Sequence, residues 1–341
     1  MRFGRGLAMV VAAATAAATV AVVSGAEPAA AAVDRTLRVY NNNIENLVRN
    51  NPDGSCTRIS GPDHLRSMLV DDAGRTGTSG VRAPDILIVQ QVRGIGQASA
   101  YADQLSAKFG YPAGTYRAIV AWADPEPWGG SHRCSSQSLG DLKKKQTNGL
   151  IYNTKRLSLA SGDISKYWSA GWLKPGTAYD GGRGCRLYKP PNNDDKAGYT
   201  HTWKRTSAIA ARFTIKGTST TVFAATMHLP TQNADHPCSG DGATGLKGTG
   251  IHIAADARSL MSASTIRIVG IDANRTPSGT GGVTPSTLSG YGMTGYGTAA
   301  TSGSRKIDYL FVAGNVRPSP VGYTVAGTKS NHRALYGFID F

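Results

Sequence analysis

Short apolar runs alternate with polar, glycine-rich segments along most of the chain. Runs of strand length predict β-strands, and the continuous run DILIVQQV at residues 85–92 is typical of a strand that is covered on both faces. Apolar positions at helical spacing predict three helices between the strands. The predicted strands are residues 37–43, 85–92, 116–122, 149–153, 207–215, 220–228, 265–272, 307–312 and 334–341, and the predicted helices are residues 62–72, 98–109 and 251–262.

This order of elements predicts one α/β (α+β) domain, built as a mixed sandwich. No segment between the elements is long or biased enough to be an interdomain linker, and no internal repeat is visible. The polar segments 123–147 and 275–304 are predicted to be long loops inside the domain, and such loops often carry function.

The first 32 residues differ from the rest of the chain. A short basic start precedes an Ala/Val-rich stretch at residues 7–23, and Ala30 and Ala32 then supply the small residues of a signal-peptidase site. A transmembrane anchor is the alternative, but the stretch is rich in Ala rather than Leu, and the cleavage site follows it directly. The sequence therefore predicts a secretory signal peptide at 1–32 and a single domain at 33–341, secreted and without a stable membrane anchor.

The composition narrows the function classes. Hydrophobic residues make up 40% of the 341 residues, so the chain has enough apolar material for a sizeable core, and disorder is excluded. Lys and Arg (37) outnumber Asp and Glu (22), which gives a net charge of +15. A protein this basic usually binds nucleic acid, an anionic membrane surface or an acidic polymer.

Four widely spaced cysteines, Cys56, Cys134, Cys185 and Cys238, lie in segments rich in Gly, Ser, Asp and Asn. No Cys-x-x-Cys motif is present, which disfavours a zinc or redox site. In an exported protein this pattern predicts two disulfides that staple loops. Three pairings are possible, and the sequence leaves all of them open.

Polar side chains recur where apolar runs begin or end. An isolated Asn or Asp at such a position usually caps a turn. Amides, imidazoles and carboxylates at six run ends instead predict a site at one edge of the sheets. These residues are Asn41, Asn42 and Asn43; Gln90 and Gln91; His228; Asp272 and Asn274; Asp308; and Asn331 and His332.

At these positions the sequence resembles the endonuclease/exonuclease/phosphatase superfamily, the deoxyribonuclease I-like proteins. The segments that carry the resemblance, in family order, are LRVYNNNIEN (37–46), PDILIVQQVR (84–93), ATMHLP (225–230), VGIDAN (269–274), RKIDYLFV (305–312) and SNHRAL (330–335). The resemblance implies a four-layer sandwich of two mixed β-sheets flanked by helices. It also implies hydrolysis of phosphodiesters or phosphomonoesters at the open edge of the sheets.

The resemblance assigns roles residue by residue. His228 matches the first catalytic histidine of the family, and His332 matches the histidine of its Ser-Asp-His motif. Asp272 and Asn274 match the Gly-Asp-x-Asn motif, Asp308 the Ile-Asp-Tyr motif, and Asn43 the first-strand asparagine near the metal. Arg205, in HTWKRTSAIAARF, resembles an arginine that contacts the substrate phosphate.

The chain departs from the family where the metal would bind. The principal Mg²⁺ carboxylate of the family is Gln91 here, and the acidic residue of the Ser-Asp-His motif is Asn331. The glycine of the Gly-Asp-x-Asn motif is displaced to Gly270. Because Mg²⁺ prefers charged oxygen ligands, we expect no metal site, with Asn43, Gln91 and Asp272 as the residual candidates. No cofactor is favoured, and Mg²⁺ is the alternative.

The chemistry that remains suits RNA. Without a metal, water is a poor nucleophile near neutral pH, whereas RNA carries its own 2′-hydroxyl nucleophile. Histidine is the side chain best suited to acid and base roles in this pH range. The leading hypothesis is a secreted, metal-independent endonuclease that prefers RNA. In it His228 and His332 share the acid and base roles, in an order left open, and Asp308 orients one imidazole.

Several further predictions concern partners and alternatives. The predicted phosphate-binding residues are Arg205, Asn43, Asn331, Lys143, Lys144 and Lys145, and the lysine run is a candidate ridge for tracking a polyanion. The protein is predicted to be a monomer that binds RNA or DNA. The alternatives are a Mg²⁺-dependent nuclease of the deoxyribonuclease type, a sphingomyelinase-like lipid phosphodiesterase, and a catalytically dead protein that only binds nucleic acid.

Overall fold

The structure is a computed structural model. It describes residues 34–71, 79–121, 134–136, 138–139, 142, 146–167, 179–180, 186–187, 208–228, 264–274, 276, 288–289, 292–317 and 321–341. Several predictions concern residues outside these ranges: the signal peptide, the helix at 251–262, the lysine run, Arg205, Cys185 and Cys238.

Two six-stranded mixed sheets form the body of the described chain. The first has the order β15 (Val321–Val325), β16 (Ala334–Asp340), β1 (Thr36–Asn43), β4 (Ile86–Val92), β6 (Thr147–Asn153) and β5 (Tyr116–Val120). The second has the order β13 (Thr294–Tyr296), β14 (Asp308–Gly314), β12 (Ile266–Asp272), β11 (Thr221–His228), β10 (Ala208–Ile215) and β7 (Leu157–Tyr167). Each of the nine strands predicted from apolar runs is present, with ends shifted by a few residues.

The two sheets pack face to face around a common core. Val39 and Ile88 of the first sheet share this core with Ile209, Phe213 and Ile268 of the second, and each of these side chains is fully buried. The alternating strand pattern delivers these residues to one face, because successive side chains of a strand point to opposite sides. The inner faces of both sheets therefore make the dry centre of a sandwich.

Two helices cover the outer face of the first sheet: α1 (Gly61–Met68) and α2 (Ile95–Lys108). Leu65 and Met68 of α1 and Leu105 of α2 pack in one buried cluster with Leu87 and Ile151 of the sheet. The side chain of Ser60 caps α1 by accepting a hydrogen bond from the backbone N–H of Asp63. The described residues thus contain three of the four predicted layers, and the helix predicted at 251–262 lies outside them.

Several strands were not predicted. Besides β7, β13 and β15, these are the hairpin strands β2 (Val48–Asn50) and β3 (Cys56–Arg58), and the ladder of β8 (Tyr179–Asp180) with β9 (Arg186–Leu187). A disulfide joins Cys56 of β3 to Cys134. This bond establishes one of the two predicted disulfides. No helix in the described part of the chain has the length and apolar character needed to cross a bilayer.

A parallel pair of strands lies inside each sheet and fixes where the polar strand ends meet. β1 is parallel to β4, and β11 is parallel to β12. The carboxyl ends of a parallel pair lie at the same edge of their sheet. Asn41, near the end of β1, donates from Nδ2 to the carbonyl oxygens of Ile271 (3.4 Å) and Tyr309 (3.0 Å) of the other sheet. The two polar edges therefore face each other.

Candidate active site

The second sheet sets three functional side chains side by side. His228 ends β11, Asp272 ends β12 and Asp308 begins β14, and the register pairs His228 with Asp272 and Asp272 with Asp308. Because β14 is antiparallel to β12, it begins at the edge where β12 ends. Neighbouring strands lie about 4.8 Å apart, so the hydrogen-bond ladder itself sets the spacing of the three groups.

The first sheet brings His332 to the same edge. β16 is antiparallel to β1, so the residues that precede Ala334 lie beside the carboxyl end of β1. Asn42 Nδ2 donates to the backbone oxygen of His332 (3.1 Å), and Ser330 Oγ donates to the backbone oxygen of Asn43 (2.7 Å). These bonds hold the segment that carries His332 against the end of β1.

His332 and Asp308 form a close pair. Nδ1 of His332 lies 2.9 Å from Oδ2 and 3.1 Å from Oδ1 of Asp308. Asp308 is fully buried, whereas the His332 side chain keeps 12% of its surface exposed. The other ring nitrogen of His332, Nε2, makes no hydrogen bond to any residue that the structure describes. The carboxylate therefore fixes one edge of the imidazole and leaves the other edge for a ligand.

Electrostatics keep His332 protonated. Burial on its own would lower the pKa of His332, but the carboxylates of Asp308 and Asp272 outweigh burial and raise this pKa to about 10. For Asp272, burial would raise the pKa, but the neighbouring histidines and a hydrogen bond from Asn43 bring it below its ordinary value. At neutral pH the site thus holds an imidazolium beside an ionised Asp272.

His228 lies on the other side of Asp272 and is 2% exposed. Its Nε2 is 3.3 Å from Oδ2 of Asp272 and 2.7 Å from Nδ2 of Asn274. The backbone N–H of Asn274 donates to Oδ1 of Asp272 (2.9 Å), which fixes the turn after β12. Asp272 Oδ2 is also 3.8 Å from Nδ1 of His332, so one carboxylate lies between two imidazoles.

The residual metal candidates fit Mg²⁺ poorly. Nδ2 of Asn43 donates to Oδ2 of Asp272 (2.8 Å), and Oδ1 of Asn43 accepts from the backbone N–H of Glu45 (2.9 Å). The amide oxygen therefore faces away from Asp272, as it must, because a carboxylate accepts hydrogen bonds and repels another acceptor. Gln91 is partly exposed and makes no hydrogen bond to Asn43 or Asp272. These three residues offer a single charged oxygen donor group to an ion.

A second group of donors could hold a metal ion instead. One ligand atom from each of Asp272, Asp308 and His332 lies within 4.8 Å of the others. Their contacts with one another are those of a hydrogen-bonded carboxylate–imidazole pair, so an ion would have to displace the proton of His332. Among the described residues, this group rather than Gln91 has the ligand atoms close enough together to hold an ion.

Buried amides seal the inner side of the site. Gln90 Nε2 donates to Oδ1 of Asn41 (2.7 Å) and to Oγ1 of Thr226 (2.8 Å). Gly270 lies opposite, where a Cβ would come within 2.6 Å of Oδ1 of Asn41 and 2.8 Å of Ile88. The displaced motif glycine therefore has a packing role, because only glycine leaves room for this link between the sheets.

The sequence analysis missed one functional candidate, Glu45. Its Oε2 accepts from the backbone N–H of Asn331 (2.8 Å) and from Oγ of Ser330 (3.4 Å), and its Oε1 accepts from Nδ2 of Asn331 (3.4 Å). Glu45 is also among the carboxylates that raise the pKa of His332. Asn331 stands where the resemblance implies an acidic residue. The carboxylate of Glu45, in the turn after β1, lies beside this amide. The residue type alone carried no signal for this placement.

The backbone around the site is strained. Glu45, Asn46 and Leu47 have φ of 49°, 57° and 58°, Gln91 has 54°, and Asn274 has 50°. Residues with side chains avoid this left-handed region at a cost of about 1–2 kcal/mol each. All five follow or end strands that carry site residues. Such strain persists where the surrounding structure enforces it, as at binding and catalytic sites.

The structure thus brings together Asn43, His228, Asp272, Asn274, Asp308, Asn331 and His332 from among the predicted residues. Gln91 lies next to the last residue of β4 and makes no hydrogen bond to any of them. Arg205, Lys143, Lys144 and Lys145 lie outside the described residues, so their predicted phosphate contacts stay predictions.

Comparison with known proteins gives a consistent result for the fold. No family model matches the sequence, and no curated protein matches it. Solved structures do match. The endonuclease/exonuclease/phosphatase from Bacteroides vulgatus is 14% identical, with a TM-score of 0.53, and the match covers 90% of this chain and 100% of that one.

Two further structures are as similar. The human Nocturnin catalytic domain with a bound sulfate anion is 12% identical, with a TM-score of 0.53, over 90% of this chain and 94% of that one. The mannosyl-6-phosphatase of Bacteroides thetaiotaomicron is 12% identical, with a TM-score of 0.52, over 89% and 100%. At this identity the likeness concerns the fold. The chain has the fold of the endonuclease/exonuclease/phosphatase superfamily, as the order of its six motifs predicts.

Proposed function

We propose that the chain is a secreted endonuclease that cleaves RNA by transesterification and needs no divalent metal. The observation that carries this proposal is the position of Asp272 between two imidazoles, 3.3 Å from Nε2 of His228 and 3.8 Å from Nδ1 of His332. A carboxylate in this position stabilises a positive charge on either ring. One histidine can then remove a proton from the attacking hydroxyl, and the other can donate a proton to the leaving oxygen of the same phosphate.

In the proposed reaction the 2′-oxygen of the substrate attacks the neighbouring phosphorus. His228 takes the proton from the 2′-hydroxyl, the bond from phosphorus to the 5′-oxygen breaks, and His332 gives a proton to that leaving oxygen. The products are a 2′,3′-cyclic phosphate and a 5′-hydroxyl. The proton transfers balance, and a second transfer in the opposite direction restores both rings.

The assignment of acid and base follows from charge. Asp308 and Asp272 raise the pKa of His332 to about 10, so this ring holds a proton at neutral pH and suits the acid role. Its exposed Nε2 edge can reach a phosphate oxygen. His228, beside Asp272 and Asn274, is then the base. The imidazolium of His332 also stabilises the negative charge that develops on the phosphorane.

The donor set supports independence from Mg²⁺. The candidates Asn43, Gln91 and Asp272 contribute one carboxylate between them, which is the fewest that usually holds Mg²⁺ together with phosphate. The oxygens of this carboxylate already accept hydrogen bonds from Asn43 and Asn274. The runner-up is a metal-dependent nuclease that acts on DNA, which the cluster of Asp272, Asp308 and His332 favours. A bound ion there would supply Lewis-acid chemistry.

Charge and cysteine chemistry support the partner and the location. A net charge of +15 suits a polyanionic substrate. The disulfide between Cys56 and Cys134 suits an oxidising compartment outside the cytosol. The chain is proposed to act as a secreted monomer on nucleic acid, and the signal peptide at 1–32 and the lysine run belong to this proposal.

The test compares four substrates under two conditions. Purified protein is incubated with single-stranded RNA, the matching DNA and the matching 2′-O-methyl RNA, each with excess EDTA and with Mg²⁺. The fourth substrate, uridine 3′-(p-nitrophenyl) phosphate, has a leaving group that needs no protonation. We expect cleavage of RNA in EDTA, with a cyclic phosphate product, and no cleavage of DNA or of 2′-O-methyl RNA.

Two variants assign the roles. His228→Ala should lose about 10²–10⁴-fold in rate on both RNA and the nitrophenyl ester, because both need the base, while RNA binding is kept. His332→Ala should lose rate on RNA and much less on the ester. Cleavage of DNA that depends on Mg²⁺ would overturn the mechanism in favour of the metal-dependent nuclease. No cleavage of any substrate, with RNA binding intact, would leave a protein that only binds.

A further inference from the structure

A cleft of about 510 Å³ adjoins the candidate active site and is lined by Arg49, Asn50, Asn51, Pro52 and Asn331. This volume falls in the range of about 300–1,000 Å³ that is usual for small-ligand sites. Asn331 directly precedes His332, so the cleft begins one residue from the imidazole that is proposed to be the acid. A substrate that extends beyond the cleaved bond on this side would enter the cleft.

The walls of the cleft are fixed before any ligand binds. Arg49 and Asn50 belong to β2, which pairs with β3, and the disulfide at Cys56 ties β3 to Cys134. Nδ2 of Asn51 donates to Oγ of Ser55 (2.8 Å) and to Oγ1 of Thr57 (3.0 Å). A rigid wall lowers the conformational entropy that binding would otherwise cost.

Asn331 forms the opposite wall and is also anchored. Its backbone N–H donates to Oε2 of Glu45 (2.8 Å), and its Nδ2 lies 3.4 Å from the backbone oxygen of Asn50. This last contact joins the hairpin to the segment that carries His332. Hydrogen bonds therefore connect the cleft to the segment that carries His332.

The lining has the chemistry of a nucleotide site. It consists of one guanidinium, three amides and a proline, with no carboxylate. Arg49 is exposed, and its guanidinium makes no hydrogen bond or ion pair with any residue in the described part of the chain. A guanidinium binds two phosphate oxygens at once. The Nδ2 groups of Asn51 and Asn331 are used in internal hydrogen bonds, so these two amides offer their Oδ1 atoms as acceptors to the edge of a base. An acyl chain would find little apolar surface here.

We propose that this cleft binds the nucleotide next to the cleaved phosphodiester in single-stranded RNA, with the flanking phosphate on Arg49 and the base edge on the amides. The inference rests on the proposed function, because it takes RNA as the substrate. It adds a subsite for that nucleotide and its flanking phosphate, neither of which is present in an ester that ends at the cleaved bond. The cleft takes no part in the bond-breaking step itself.

Binding is measured with a labelled 2′-O-methyl RNA oligonucleotide, which the proposed reaction cannot cleave. Arg49→Gln should raise its Kd about tenfold, since charged hydrogen bonds to phosphate are strong, and Arg49→Glu should raise it further. The slope of log Kd against log salt should become shallower by about 0.7 when one phosphate contact is lost from a single strand. Folding of the exposed variants is checked by circular dichroism.

The matched control is Arg317→Gln. Arg317 is also exposed, and its backbone N–H donates to the oxygen of Asp340, at the end of β16 opposite to His332. This variant removes the same charge without touching the cleft, so its Kd and its salt slope should stay near those of the unmodified protein. Equal weakening by Arg49→Gln and Arg317→Gln would overturn the subsite and leave only a general charge effect.

Cleavage assays separate this inference from the proposed function. Uridine 3′-(p-nitrophenyl) phosphate has no nucleotide beyond the cleaved bond, so Arg49→Gln should raise KM for an RNA oligonucleotide and leave the ester unchanged. An equal change for both substrates would overturn the subsite while the enzyme stands. Binding that depends on Arg49, in a protein that cleaves neither substrate, would overturn the proposed catalysis and leave the cleft as a nucleotide site.

Discussion

Two largely buried histidines in different layers of the molecule differ in charge at neutral pH, one being neutral and the other positive. His64 of α1 is fully buried against α2, and its Nδ1 lies 2.6 Å from the hydroxyl oxygen of Tyr101. Burial lowers the pKa of His64 to about 4. For His332, burial acts in the same direction, but Asp308 and Asp272 raise its pKa to about 10. The comparison shows that burial sets a common tendency and that neighbouring carboxylates decide the outcome.

The two histidines also affect stability at opposite ends of the pH range. The pKa of His64 in the fold is below its unfolded value of 6.5, so its contribution is complete above pH 6.5 and is lost as the pH falls towards 4. The pKa of His332 in the fold is above 6.5, so its contribution is complete below pH 6.5 and is lost as the pH rises towards 10. Between them they favour a fold that is most stable near neutral pH.

The largest expected effect comes from making His332 resemble His64. Asp308→Asn removes the carboxylate that raises the pKa of His332 most, so this pKa should fall and the ring should lose its proton at a lower pH than in the unmodified protein. The rate of RNA cleavage at pH 8 should drop about 10²–10⁴-fold, the usual contribution of a general acid. The basic limb of the profile of kcat/KM against pH should move to lower pH.

The nitrophenyl ester provides the control for this variant. Its leaving group needs no acid, so Asp308→Asn should slow its cleavage far less than the cleavage of RNA. Equal losses on the two substrates, with no shift of the basic limb, would show that Asp308 supports the structure of the site rather than the charge of His332.

An intermediate effect is expected at the other histidine. Between pH 7 and pH 5 the unfolded chain protonates at His64 while the fold resists it, which should remove about 2 kcal/mol of the free energy of unfolding. Urea denaturation at the two pH values measures this loss. His64→Gln keeps an acceptor for the hydroxyl of Tyr101 but does not titrate, so its loss should be smaller by that amount. An unchanged loss in this variant would mean that His64 is not the group responsible.

The smallest effect is expected from Glu45→Gln. Glu45 contributes less than Asp308 and Asp272 to the raised pKa of His332, so the basic limb should shift in the same direction as in Asp308→Asn but by less. The rate on RNA at pH 7 should stay within about tenfold of the unmodified protein, the size of one moderately perturbed hydrogen bond. A loss of rate without any shift of the limb would give Glu45 a purely structural part in holding Asn331.

Which strands could be predicted from the sequence depends on their place in the sheets. Central strands such as β4 and β12 are covered on both faces and therefore read as apolar runs. The missed strands β7, β13 and β15 lie at sheet edges, and each contains a glycine, which weakens the strand signal. One of these glycines is required by a contact between distant parts of the chain. A Cβ on Gly322 of β15 would lie 2.5 Å from Cβ of Tyr296.

Some residues of the candidate site could likewise be predicted from the sequence, and one could not. His228, Asp272, Asp308 and His332 stand at the ends of regular strands, so the strand pattern and the six motifs were enough to bring them together. Glu45 could not be found by this route, because its position depends on a turn of three left-handed residues. The asparagines in Asn-Ile-Glu-Asn are compatible with a turn, and Oδ1 of Asn43 does accept from the N–H of Glu45, but these letters do not specify three successive left-handed residues. Its backbone is set by contacts with Asn331 and Gln97, which come from distant parts of the chain.

The pairing of β1 with β16 determines when, during synthesis of the chain, the candidate site can be completed. Thr36 lies opposite Asp340, so β1, which pairs with β4 on its other side, gains its second neighbour about three hundred residues after it is synthesised. A growing chain that has not yet reached residue 330 has neither His332 nor the strand that holds this residue in place. Under the proposed function, a ribosome that makes this protein therefore meets no complete active site during translation, because the last strand brings His332 into place.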